Sequence, residues 1–98
     1  MSTFFVDIEL KKAFSIEFIN LIPAQRKLVN QLMDEGVIVN YALSMDRSKL
    51  WLTIEAKGEQ EVMDVLSQFP LIKFMLPEIT ELAYFDSIHS GFPQLSMN

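Results

Sequence analysis

Four stretches of the chain alternate apolar with other residues at a period of two, and two stretches of helical periodicity separate them. The order is strand, helix, strand, strand, helix, strand. A helix of this kind must bury its apolar stripe against the sheet, so both helices are expected on one sheet face. The opposite face is then left to water, to a ligand or to a second copy of the chain.

The first strand runs over Phe4–Leu10, with Phe4, Val6, Ile8 and Leu10 on one face and Phe5, Asp7 and Glu9 on the other. Ser15 is placed to cap a helix from Ile16. Pro23 predicts an interruption: a short helical piece through about Leu21, then a fresh helix with Pro23 in its first turn. Ala24, Leu28 and Leu32 recur every four residues, with Gln25, Val29 and Met33 beside them, and Gly36 signals the C-terminal cap. The second strand is read as Val37–Met45, with Tyr41 among Val37, Val39, Leu43 and Met45, and with Ile38, Asn40, Ala42 and Ser44 on the other side. Asp46-Arg47-Ser48 is the turn. Lys49–Ala56 is the third strand, its core face Leu50, Leu52, Ile54 and Ala56, its other face Trp51, Thr53 and Glu55. Glu59–Phe69 is the second helix, stopped by Pro70. Glu78–Asp86 is the fourth strand, and alternation alone leaves open which of its faces meets the helices. Residues 1–86 thus read as a single domain, α+β and ferredoxin-like. Residues 87–98 form a tail that still carries Ile88, Phe92, Leu95 and Met97.

Composition narrows the function. Half of the 98 residues are hydrophobic (50%), a surplus for so small a chain that points to burial between subunits. A net charge of −5 argues against nucleic acid and against an anionic membrane surface. With no cysteine there is no disulfide, thiolate nucleophile or cysteine-zinc site. No apolar run approaches the ~20 residues that span a bilayer, and no signal-peptide pattern opens the chain. The expectation is a soluble cytoplasmic protein with no cofactor.

The segments Pro23-Ala24-Gln25-Arg26-Lys27-Leu28-Val29, Asp34-Glu35-Gly36 and Phe69-Pro70-Leu71-Ile72-Lys73-Phe74-Met75, in this order of elements, resemble the muconolactone isomerase family of the dimeric α/β-barrel superfamily. The resemblance covers roughly residues 3 to 86. It implies two sheets facing each other in a homodimer or larger homo-oligomer, with any small-molecule site between sheet and helices or under the subunit seam. Members of the family tend to carry histidine or lysine on the first strand and near the central hairpin. The corresponding stretches here are Phe5-Val6-Asp7 and Asp46-Arg47-Ser48, so the family's reaction does not transfer residue by residue.

Several side chains are candidates for chemistry. Asp7, Glu9 and Glu55 share the helix-free face with Trp51, where partial desolvation would raise a carboxyl pKa and suit proton transfer. Open strand faces also carry acids simply because water is there. Asp7-x-Glu9 is too loose for a metal without loop ligands, since alternate residues lie roughly 7 Å apart. Trp51 and Phe5 would serve as a stacking platform or as interface contacts. Tyr41 can hydrogen-bond a carbonyl or carboxylate, and Arg47, with Lys49, can hold an organic anion. His89, the single histidine, lies in the tail. The expected function is binding of a small organic acid or lactone, with isomerase-like proton transfer by Asp7, Glu55 and Tyr41 and with Trp51, Arg47 and Phe5 binding the substrate. The alternative is a non-catalytic domain whose free sheet face is used up by self-association.

Overall fold

The computed structural model describes residues 1–86, so the tail with Ile88, His89, Phe92, Leu95 and Met97 lies outside the described residues. The first strand, β1 (Ser2–Leu10), is followed by α1 (Ile16–Asp34), β2 (Ile38–Leu43), β3 (Lys49–Ala56), α2 (Glu59–Leu66), a single 3-10 turn (Ile72–Phe74) and β4 (Met75–Leu82). The four strands make one antiparallel sheet in the order β2-β3-β1-β4. This is the ferredoxin-like βαββαβ arrangement. No helix among the described residues is long and apolar enough to cross a membrane.

The two central strands keep the alternation of the sequence. Phe4, Val6, Ile8 and Leu10 of β1 and Leu50, Leu52, Ile54 and Ala56 of β3 are buried together with Phe18, Val29 and Leu32 of α1 and Val62, Val65 and Leu66 of α2. Both helices therefore cover one sheet face. Burying an aliphatic or aromatic side chain of this size contributes about 1.5–3 kcal/mol relative to exposure, so this single core decides the packing.

The helix ends follow local chemistry. Ser15 Oγ accepts the Phe18 amide at 3.2 Å and caps α1. At the other end the Gly36 amide donates to the Met33 carbonyl and the Val37 amide to the Leu32 carbonyl, with Gly36 at φ 78°. That pair of bonds is a Schellman closure, and the left-handed φ is the reason a glycine sits there.

Besides β1, which starts at Ser2 rather than Phe4, four elements differ from the pattern reading. First, α1 runs through Pro23 without a break. Proline removes one helix hydrogen bond, to the carbonyl of Ile19, but Ile19 is itself exposed, so water can satisfy that carbonyl while both flanks stay packed. Second, α2 ends at Leu66, and Phe69 reaches the core from the following turn, where its amide donates to the Leu66 carbonyl at 3.0 Å. Third, β4 runs from Met75 to Leu82 rather than from Glu78 to Asp86, and it includes Pro77, which is tolerated because β4 is an edge strand. Its helix-facing side is settled by the pairing of Ile79 with Val6. Fourth, β2 is shorter than Val37–Met45 and carries a register shift between Ile38 and Asn40. Ile38 pairs with Ile54 and Tyr41 with Leu52, so both face the core, and Val39 takes up the extra residue of a bulge.

Candidate functional site

Where β2, the β2–β3 turn and α1 meet, the sheet and helix leave a cleft of about 170 Å³. Its walls are apolar: Leu10, Phe18, Ile22, Leu43, Leu50 and Leu71. Its polar side chains are Gln25, Arg26, Tyr41 and Arg47. No acidic residue lines it. A shallower recess of about 260 Å³ continues along α1 past Arg26 and Tyr41, to Val29, Asn30 and Met33. For scale, an apolar cavity of about 150 Å³ holds a benzene ring.

Each polar group is held by the fold. Tyr41 reaches the cleft because the bulge at Val39 turns it to the helix side. Gln25 lies in the buried stripe of α1 with Phe18, Val29 and Leu32 and is 2% exposed. Its Nε2 donates to Tyr41 Oη at 3.2 Å, and its Oε1 accepts the Leu71 amide at 3.2 Å. Burial pushes the Tyr41 phenol above its ordinary pKa of 10.0, against the opposing effects of the Gln25 hydrogen bond and the Arg26 charge. The phenol is therefore protonated at neutral pH.

Arg47 is presented by a turn built on Asp46. The Asp46 carboxylate accepts Ser48 Oγ at 2.7 Å, Ser44 Oγ at 2.8 Å and the Ser48 amide at 3.0 Å. These bonds, the two from Ser48 foremost, lower the Asp46 pKa to about 2. Arg47 itself stands at φ 63°, with its guanidinium carbon 6.0 Å from the centre of the Phe14 ring. Arg26 on α1 and Arg47 on the turn thus bring two permanent positive charges to one cleft in a chain of net charge −5.

The remaining candidates lie on the opposite sheet face. Asp7 stands across from Trp51, and Glu55 across from Thr3, so about four strand positions, roughly 13 Å, separate the two acids. Asp7 Oδ1 is inaccessible to water and sits 2.8 Å from Lys49 Nζ, which raises the Lys49 pKa. Glu55 accepts Thr3 Oγ1 at 2.7 Å. Phe5 and Trp51 are half-buried, and Thr53 beside them is buried. The structure therefore does not gather Asp7, Glu55 and Tyr41: strand alternation sends the two acids and the tyrosine to opposite sides of the sheet. It also places Trp51 and Phe5 away from the cleft. Tyr41 and Arg47 are brought together, with Gln25 and Arg26, which the sequence reading missed. The signal for Gln25 was available: Phe18, Gln25, Val29 and Leu32 follow the 3.6-residue period, and a polar residue interrupts that buried stripe. Among the described residues no three acids or imidazoles gather as metal ligands.

A family model for muconolactone delta-isomerase matches residues 4–87. The chain belongs to the muconolactone isomerase family. The crystal structure of muconolactone isomerase at 3.3 Å resolution superposes with a TM-score of 0.70 and 21% identity, covering 89% of this chain and 95% of that one. At that identity the likeness speaks for the fold. No curated protein matches the chain. The segments that suggested the family, α1 to Gly36 and the Pro70–Met75 link, supply Gln25, Arg26 and Leu71 to the cleft.

Proposed function

We propose that this muconolactone isomerase-like protein binds a small organic acid or lactone in the cleft between α1 and the β2–β3 hairpin. The observation that carries the reading is the joint placement of Arg26, Arg47 and the protonated Tyr41 around an apolar pocket of about 170 Å³. Two guanidinium groups suit one carboxylate, and the phenol suits a carbonyl or ring oxygen. The apolar wall takes a carbon skeleton the size of a single ring.

The chemistry this arrangement supports is isomerase-like proton transfer within an unsaturated acid or lactone. A donor on the carbonyl oxygen stabilises the enolate that forms when a neighbouring carbon loses its proton to a solvent water, and the rearranged product takes a proton back from solvent at its new position. Tyr41 fills that role, and the arginines hold the carboxylate away from the reacting carbons. Asp7 and Glu55 stand on the helix-free face and do not line the cleft.

Muconolactone, other small lactones, organic acids and quinones form the test panel. A thermal shift lost in Arg26→Ala and Arg47→Ala supports the cleft. Deuterium uptake from D2O at ligand carbons, lost in Tyr41→Phe, supports proton transfer. A panel-wide absence of binding to the folded protein refutes the reading.

The helix-free face favours a second, compatible role, self-association into a homodimer or larger homo-oligomer. Phe5 and Trp51 are half-buried within one chain, and Leu76 of β4 lies exposed on the same face. A second copy laid over this face would remove all three from water. Trp51→Glu would then yield monomers in sedimentation, whereas a wild-type chain that sediments as a monomer rules the role out.

A further inference from the structure

Gln25 is an unusual occupant for its position. Within the stripe of Phe18, Val29 and Leu32 an apolar residue would satisfy the pattern, and a buried amide is costly unless both of its ends are bonded. Both ends are. The Leu71 amide is a backbone donor that cannot reverse its polarity, and Leu71 is 4% exposed. Because it donates to the Gln25 side chain at 3.2 Å, the atom it meets must be the oxygen. The other end of the amide is then the NH2 group, 3.2 Å from the Tyr41 oxygen, and it must donate. Flipping the amide would set one N–H against another.

The phenol oxygen thus already accepts a bond, and among the described residues no protein group accepts the Tyr41 proton. Tyr41 borders both the cleft and the recess beside Arg26, so that proton is presented to whatever enters. We propose that Gln25 is a positioning residue that fixes Tyr41 as a hydrogen-bond donor, so that the cleft selects ligands offering a carbonyl or carboxylate oxygen at that point. The polarity runs one way, from Leu71 through Gln25 and Tyr41 to the ligand, and each bond strengthens the next. This inference rests on the cleft being the binding site, yet the direction of the bonds is measurable without any ligand.

Tyr84 is 80% exposed, and the sequence has two tyrosines, so Tyr84→Phe leaves Tyr41 as the single phenol. In that background the Raman doublet of tyrosine reports whether the phenol accepts or donates. Gln25→Glu keeps an oxygen for Leu71 and replaces the donor to Tyr41 with an acceptor. The expected result is a switch of the doublet towards strong donation and a further rise in the Tyr41 titration midpoint. An unchanged doublet and midpoint overturn the proposal. Tyr41→Phe gives the same information should the glutamate variant not fold: the Gln25 side-chain NH2 resonances shift and exchange faster with water, and their indifference overturns it.

The selectivity arm uses cyclohexanone and methylenecyclohexane, which share a shape and differ in one acceptor. The preference for the ketone over the alkene should fall roughly 3–10-fold in both Tyr41→Phe and Gln25→Glu, the factor one neutral hydrogen bond supplies. Equal weakening of both probes assigns Gln25 a merely structural role and overturns the proposal. If neither probe binds the folded protein while the Raman switch is present, the selectivity claim and the binding reading fail together. If the probes bind and the switch is absent, this inference alone fails.

Discussion

Ile38 and Tyr41 face the same side of the sheet although three positions separate them. Ile38 pairs with Ile54 and Tyr41 with Leu52, and the residue that reconciles the count is Val39. The bulge lets β2 bury Ile38 in the core and still aim Tyr41 at the cleft. Deleting Val39 would give a regular ladder with both residues still on the core face. The deletion should therefore fold, with Ile38 and Tyr41 kept on the core face. Chemical denaturation checks this, and loss of the folded state would show that the bulge itself is required.

Gln25→Leu suits the apolar stripe but leaves the buried Leu71 amide without a partner. An orphaned buried donor costs about 1–3 kcal/mol. For a domain of this size each kcal/mol lowers Tm by about 4–8 °C. Calorimetry should show that loss, and a leucine variant at least as stable as wild type would contradict the hydrogen bonding described for Gln25.

Asp46 ties acid sensitivity to the turn that carries Arg47. Its folded pKa, about 2, lies below the ordinary carboxyl value of 3.8 because the bonds from Ser48 and Ser44 favour the ionised form. A depressed carboxyl contributes stability that is present above pH 3.8 and is lost as pH falls towards 2. Asp46→Asn should flatten the fall in stability across that window and leave the slope above pH 5 unchanged. Denaturation at a series of pH values measures it.

Pro23 stands inside α1, where it removes a backbone hydrogen bond. An interior helix proline costs about 3 kcal/mol relative to alanine, offset by the roughly 0.4–1 kcal/mol it contributes by restricting the unfolded chain. Pro23→Ala should therefore raise stability by about 2 kcal/mol. A lowered Tm would mean that the packing of α1 depends on the proline.

Much of this fold was legible along the chain because the central strands have two clearly different faces. Phe4, Val6, Ile8 and Leu10 alternate without interruption, and Leu50 to Ala56 do the same, so one register satisfies burial. The bulge at Val39 was not legible, since Val37, Val39, Tyr41 and Leu43 form an equally good apolar row. Pro77 hid the start of β4, because only the finished strand order shows that it lies at an edge. Arg47 and Tyr41 stood out as polar groups in or near strands. Gln25 and Arg26 did not, because the row of Ala24, Leu28 and Leu32 put the buried face of α1 one residue off. The grouping of Asp7, Glu55 and Tyr41 rested on residue chemistry, and the register assigns them to two faces.

The claim that the cleft beside α1 is the binding site is tested most directly by backbone amide shifts in a muconolactone titration. The account predicts shifts centred on Gln25, Arg26, Tyr41, Arg47 and Leu71, with affinity reduced about tenfold or more in Arg47→Ala, the worth of one charge-assisted hydrogen bond. Shifts centred instead on Phe5, Trp51 and Thr53, with Arg47→Ala binding as tightly as wild type, would contradict it.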